Sequence, residues 1–284
     1  MKNLVIIPNP TKDLGLSVTK KLIQKLLSYG VAVYIEEQYS DIDLPSLNFY
    51  ESFPNIAELI IVVGGDGSVI DASVIAISKN IPVLGVNLGK VGYLSEVEPD
   101  NLDIFEKLFS GDYKIEEKLL LSVSCKKGGE VLNSQRLAVN DVIISHDTFL
   151  GIADFRLENG SGECVKYRAD GMILSTPAGS TAYSLSAGGP IISHDIDSIT
   201  ATPICPHSFF NRSIVFKSSE KIKIKNESDT DLNVSVDGRY FLNLSKDDEC
   251  KVEMADKKLK MLTFSENNMF TTLFKKMRIL EDVK

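Results

Sequence analysis

Histidine and cysteine are both scarce in this chain. The three histidines, His146, His194 and His207, show no metal-ligand spacing and read as structural or surface residues. The four cysteines, Cys125, Cys164, Cys205 and Cys250, lie far apart with no CxxC pair. They are expected to be separate reduced thiols of a cytosolic protein, neither zinc ligands nor a disulfide framework. Basic residues are outnumbered, 31 against 39 acidic, for a net charge of −8. That balance argues against sequence-independent nucleic-acid binding and supplies no global field for anionic substrates. A phosphate site would have to come from local lysines, arginines or backbone amides. No apolar run reaches membrane-spanning length, and "MKNLVIIPNP" is too short and too soon interrupted for a secretory signal. The expectation is a cytoplasmic protein without a membrane or nucleic-acid partner. Two familiar phosphate motifs are also missing: there is no GxxxxGK[ST], and no GxGxxG follows a strand.

What is present is ordinary globular material, 43% hydrophobic over 284 residues, a length that suggests two domains. "NLVIIPNP" reads as a buried strand with an early turn. The spacing of Leu16, Leu22, Ile23, Leu26 and Leu27 predicts a helix that Gly30 can cap. "VAVYIE" is a second strand, and the proline-marked "DIDLPSLNFYESFPN" reads as a loop. Strand "LIIVV", turn "GGDG", an apolar helix from about Ser68 to Ser78 and strand "PVLGVN" follow. Strands alternating with helices predict βαβ units on a parallel sheet. Beyond a boundary near Asp112 the rhythm becomes strand-rich. A Gly-Gly turn lies in "KLLLSVSCKKGGEVLNS", a hairpin turns at Asn159 to Gly162, and "EKIKIKNESDTDLNVSVDGRYFLNL" alternates with period two. The final "SENNMFTTLFKKMRIL" returns to helical spacing, and such an isolated helix needs a partner, which the first domain could supply.

Chemistry concentrates at two places. "GGDGS" stands at a strand end, where open α/β sheets bind ligands. Glycines admit close approach, and the helix amino terminus offers unpaired N–H groups to phosphate. A carboxylate there repels phosphate, so Asp66 makes sense as a group that orients a metal or takes a proton from an attacking hydroxyl; a tight turn with Asp66 as helix cap is the plainer alternative. The second place is "RADGMILSTPAGSTAYSLSAGGP", which gathers Ser175, Thr176, Gly179, Ser180, Thr181, Gly188 and Gly189. Such a loop brings backbone and hydroxyls to a ligand, and Tyr183 adds a ring face.

With these residues in view the chain resembles the bacterial-type NAD kinases, which phosphorylate the 2′-hydroxyl of the adenosine ribose of NAD. Five blocks match in order: "GGDGS", "VNLGKVGYLSEV", "AVNDVIIS", "RADGMILSTPAGSTAYSLSAGGP" and "VSVDGR". The resemblance implies a Rossmann-like α/β domain over 1–112, joined by a returning segment 253–284, and a β-rich NAD-binding domain over 113–252. It makes Asp66 the general base, with Gly64, Gly65, Gly67 and Ser68 cradling the donor phosphates. It sets Asn140 at the adenine, Asp141 at a ribose, and Thr181, Ala182 and Tyr183 along the dinucleotide pocket. Asp170 would reach the nicotinamide end, and Asp237 would lie near the diphosphate. It implies Mg²⁺ carried with ATP rather than a protein-built metal site, ATP or polyphosphate as donor, and a homodimer or homotetramer. Lys90, Arg168 and Arg239 could offset phosphate charge. This chain departs from the family pattern at Ser68, Asp141, Ala178 and Ser213, and no proposed catalytic group is lost. A lipid kinase of the diacylglycerol type would share "GGDG", and a non-catalytic dinucleotide-binding regulator would share the pocket. The fourth block speaks against the first and the retained Asp66 and Asp237 against the second.

Overall fold

The computed structural model describes residues 1–89, 92–132, 135–146 and 151–264. Two compact units divide the chain, one of Met1–Glu117 with the segment from Leu259, the other of Lys118–Lys258. The expected limits at 112 and 252 fall inside strands or short of them. Strand Lys114–Lys118 belongs to the first sheet and strand Glu249–Met254 to a sheet of the second unit, so the divisions come at the last residue of the former and after the latter.

In the first unit the apolar runs of the sequence become β1 (Asn3–Pro8), β2 (Ala32–Glu36), β3 (Leu47–Tyr50), β4 (Leu59–Gly64), β5 (Val83–Asn87), β6 (Ser95–Val97) and β7 (Lys114–Lys118). Helix α1 (Ser17–Ser28) buries Thr19, Leu22, Ile23 and Leu26 against them. Its first turn is capped by the buried Asp13 carboxylate, which accepts the N–H groups of Val18 at 3.0 Å and Thr19 at 2.8 Å. Helix α2 (Asp66–Lys79) buries Val69, Ala72, Ser73 and Ala76, and the short α3 (Glu106–Ser110) follows later. The stretch read as a loop before Leu59 contains β3, which pairs in parallel with β2. Proline and polar residues hid it, because an edge strand of four half-buried residues carries little periodicity.

The second unit is a β sandwich. Its strands are β8 (Leu121–Lys127), β9 (Glu130–Val131), β10 (Arg136–Ala138), β11 (Asp141–His146), β12 (Ala153–Glu158), β13 (Cys164–Ala169), β14 (Gly171–Ser175), β15 (Ser198–Ile204), β16 (Ile214–Lys217), β17 (Lys221–Asn226), β18 (Leu232–Val236), β19 (Arg239–Leu244) and β20 (Glu249–Met254). One sheet has the order β10-β8-β20-β17-β12-β13, the other β16-β15-β14-β11-β18-β19. Val123, Phe155, Tyr167 and Ile224 from the first meet Val142, Ile144, Leu174 and Ile199 from the second in one core. The helix α4 (Tyr183–Ser186) lies within the glycine- and hydroxyl-rich loop.

The chain then returns to the first sheet as β21 (Leu259–Thr263), completing the order β3-β2-β1-β4-β5-β21-β7. Every pair from β3 to β21 on this path is parallel. The order reverses between β1 and β4, the switch point at which doubly wound sheets bind ligands. The apolar helix read over "SENNMFTTLFKKMRIL" lies outside the described residues. Among those described, no helix is long and apolar enough to cross a membrane.

One expectation is corrected: Cys125 and Cys250 form a disulfide, leaving Cys164 and Cys205 free and exposed. They are directly opposite on β8 and β20, a proximity created by pairing strands 125 residues apart, which sequence spacing does not show.

Candidate active site

The ends of β1 and β4 lie side by side, with Pro8 opposite Val63. Asn9 continues from β1 and ties the two ends together. Its N–H donates to Val63 O at 2.8 Å, and its side-chain amide donates to Ser68 Oγ at 2.7 Å. The first two glycines of the "GGDG" turn are closely approached, while a Cβ on Gly67 would meet nothing within 4 Å. A Cβ on Gly64 would fall 2.5 Å from Ser68 Oγ, and one on Gly65 would fall 2.5 Å from Lys12 Nζ. The Lys12 ammonium therefore sits over the backbone that opens α2, where the first-turn amides have no helical partner.

Asp66 begins α2 and is half-buried. Its Oδ1 accepts the N–H groups of Leu94 at 3.1 Å and Ser95 at 3.2 Å and the Ser95 hydroxyl at 2.9 Å. Among the described residues, its Oδ2 accepts the Tyr93 N–H, at 2.8 Å, and no other donor. A carboxylate offers about four acceptor positions, so Oδ2 retains capacity for a further proton donor. Gly92 is confined by the same arrangement, since a Cβ there would lie 2.6 Å from Asp66 Oδ1. Asp66 is thus pinned to the turn before β6 rather than acting as a simple helix cap.

The second unit assembles a separate cluster. Asp237 and Gly238 both have positive φ, 49° and 75°, and form the tight hairpin turn between β18 and β19. That turn aims the Asp237 carboxylate at the residues entering β11. It accepts the N–H groups of Val139 at 2.8 Å, Asn140 at 2.7 Å and Asp141 at 3.1 Å. The loop after β14 locks onto the same segment. Thr176 donates its N–H to Asn140 O at 2.9 Å and its hydroxyl to Val139 O at 2.7 Å. Gly179 packs so closely that a Cβ would lie 2.0 Å from Asn140 O. Asn140, Asp141, Thr176, Gly179 and Asp237 are therefore one knit unit.

Burial and the facing Asp237 push the Asp141 carboxyl up to about 7. Burial also raises Asp237, against the pull of its three N–H donors. Thr181 is buried with its hydroxyl on Ala178 O at 3.1 Å, Ala182 precedes α4, and Tyr183 is 45% exposed. Asp170 stands between β13 and β14, half-buried, its N–H on Ile204 O at 3.0 Å. Lys90 lies outside the described residues. Sequence reasoning missed Asn9 and Lys12. The signal was available: once β1 and β4 are neighbours in a parallel sheet, whatever follows β1 lies beside "GGDG". An open groove of about 630 Å³ in the second unit, lined by residues such as Ser122, Glu220 and Lys257, includes none of the motif residues.

A fixed carboxylate in a glycine turn at a helix amino terminus is an arrangement that phosphoryl transfer can use. Comparison with known proteins narrows the class. Residues 4–113 match the ATP-NAD kinase N-terminal domain and residues 139–264 the ATP-NAD kinase C-terminal domain. The NAD kinase of Lachnoclostridium phytofermentans is 35% identical over 290 residues, covering 96% of this chain and 98% of that protein. The crystal structure of yeast NADH kinase complexed with NADH superposes with a TM-score of 0.83 at 25% identity, covering 96% of this chain and 86% of that one. An NAD kinase from Archaeoglobus fulgidus in complex with ATP shares the fold, with a TM-score of 0.70 at 24% identity over 98% of this chain and 99% of that one. The chain belongs to the ATP-NAD kinase family.

Proposed function

We infer that this chain transfers the terminal phosphoryl group of ATP to the 2′-hydroxyl of the adenosine ribose of NAD, making NADP. The observation that carries the catalytic assignment is Asp66: a carboxylate held by four donors at the switch point, with Oδ2 still able to accept a proton. A ribose hydroxyl is a poor nucleophile, and a positioned base contributes about 10²–10⁴-fold. Gly64, Gly65, Gly67 and Ser68 receive the donor phosphates on the α2 amino terminus, and Lys12 adds a local cation beside them. Asn140 reads the adenine, Asp141 takes a ribose hydroxyl, Thr181, Ala182 and Tyr183 line the dinucleotide pocket, and Asp170 serves the nicotinamide end. Asp237 lies near the diphosphate, and the three backbone N–H groups it accepts also fix the segment that carries Asn140 and Asp141.

Among the described residues no cluster of three or more His, Cys, Asp or Glu could hold a metal, and Asp66 has only Oδ2 to spare. These residues fit a Mg²⁺ ion held chiefly by the nucleotide, whose contribution when bound is to neutralise charge on the transferred phosphoryl group. A cytoplasmic homodimer or homotetramer completes the reading. The test is NADP formation from NAD, ATP and Mg²⁺ by the purified chain, with polyphosphate as alternative donor, and NADH and diacylglycerol as alternative acceptors. Turnover of NAD supports the reading. NAD binding without turnover on either donor would leave a regulator, and phosphorylated lipid would leave a lipid kinase.

A further inference from the structure

Val142 and Ile144, Met172 and Leu174, and Ile199 and Ala201 all point into the sandwich core. Their alternates on β11, β14 and β15 therefore face the other side of the sheet. On that side the register sets Asp141 opposite Ser175, and Ser175 opposite Thr200. Directly opposite side chains share a face with Cβ atoms about 4.5–5.5 Å apart, so the three form one transverse row.

The hydrogen bonding of this row is incomplete in a complementary way. Ser175 is 0% and Thr200 1% exposed, and neither hydroxyl has a partner. Nearby hydroxyls are satisfied: Thr176, Ser180 and Thr181 bond to carbonyls, and Thr202 joins Ser184 and Ser213, each at 3.1 Å. The Asp141 side chain, 4% exposed, has no hydrogen bond among the described residues. Two buried hydroxyls without an acceptor thus stand in one row with a carboxylate that no donor meets, and buried hydroxyls are costly when left unpaired. Asp237, from the turn after β18, is the ionisable group facing Asp141. β14, β15 and residues 176–181 bring only hydroxyl and apolar side chains.

We propose that Ser175 and Thr200 are positioning residues for Asp141, Ser175 donating through a bridging water to the carboxylate that takes the ribose and Thr200 supporting Ser175 from the next strand. The pair keeps Asp141 ionised and oriented when burial and Asp237 both favour its neutral form. This rests on the assignment of Asp141 to the ribose, and the experiment separates the two. The KM for NAD is measured from pH 5.5 to 8.5 in wild type, Ser175→Ala, Thr200→Val, Thr200→Ser, Asp141→Asn and Thr19→Val. Thr19 carries another buried unpartnered hydroxyl, in α1 of the other unit, and controls for loss of such a group.

The wild-type KM is expected to rise as pH falls through the Asp141 inflection. Ser175→Ala and Thr200→Val should move that inflection up by about one pH unit, the scale of one lost hydrogen bond to a charged group. Their kcat at pH 8.5 should stay within about two-fold, Thr200→Ser should restore the wild-type profile, and Thr19→Val should not move it. If Asp141→Asn flattens the profile while Ser175→Ala and Thr200→Val superimpose on wild type, the positioning role is overturned and the ribose assignment stands. If Asp141→Asn itself keeps the wild-type profile, the ribose assignment fails and the positioning role with it. Should a variant not fold, the wild-type Asp141 carboxyl is titrated by ¹³C NMR without ligand. The same titration in whichever single variant folds supplies the reference: a wild-type inflection below the variant's supports the hydroxyl removed there, and coincident inflections overturn it.

Discussion

Asp141→Asn is expected to remove a pH dependence of stability that runs opposite to ordinary acid denaturation. The Asp141 carboxyl is raised from 3.8 to about 7 by burial first and Asp237 second. Between those values the folded chain holds a proton that the unfolded chain has released. Linkage then makes the contribution to stability fully present below about pH 4, and lost as pH rises through 7. A tenfold difference in proton affinity is worth about 1.4 kcal/mol, so the wild type should lose about 2.5 kcal/mol from this group between pH 5 and pH 8. Donation from Ser175, supported by Thr200, would reduce that figure. Asn has no such titration. Urea unfolding of both proteins without ligand, followed by far-UV circular dichroism at pH 5 and 8, gives the difference directly. Relative to wild type, Asp141→Asn should gain about 1–2.5 kcal/mol across that interval. Equal pH dependence in the two proteins, within about 0.5 kcal/mol, would refute the buried-carboxyl reasoning.

Other outcomes follow from the same geometry. Gly179→Ala puts a Cβ against the Asn140 carbonyl, with an overpacking cost of about 1–3 kcal/mol; the urea midpoint should drop and NAD affinity, measured by calorimetry, should fall more than about tenfold. Lys12→Ala removes the cation over Gly65, and steady-state kinetics should show the KM for ATP raised about tenfold with the KM for NAD little changed. Reducing the Cys125–Cys250 bridge, or replacing both cysteines by alanine, releases a loop of 125 residues in the unfolded chain and should cost about 4–5 kcal/mol in urea unfolding. An unchanged midpoint under strong reductant, with both thiols shown to be free, would count against the bridge's contribution.

The sequence made the architecture legible wherever burial is one-sided or periodic. The apolar runs at Leu4–Ile7 and Leu59–Val63 announced buried parallel strands, and the turn at Asn159 to Gly162 announced the hairpin of β12 and β13. It also marked both clusters of the site through their glycines, because Gly64 and Gly179 stand where a Cβ has no room. What stayed hidden depends on pairing between distant segments. β3 carries no strong pattern, the cysteine pair exists only because β8 and β20 are adjacent, and Lys12 meets Gly65 only because β1 and β4 are neighbours. Asp66 and Asp237 stood out in the sequence as acidic positions in glycine turns. Most of their hydrogen-bond partners did not, since apart from the Ser95 hydroxyl those are main-chain amides that any residue could have supplied.

Asp66 carries the catalytic assignment, and rapid-quench measurement of NADP formation by Asp66→Asn tests it most directly. Asparagine keeps an acceptor oxygen for the Leu94–Ser95 side, and calorimetry first establishes that the variant folds and binds NAD as wild type does. With NAD, ATP and Mg²⁺ saturating, the expected result is a chemical step about 10²–10⁴-fold slower at nearly unchanged NAD affinity. A variant whose chemical step stays within about tenfold of wild type would contradict a proton-accepting Asp66 and leave it as an anchor for the turn before β6.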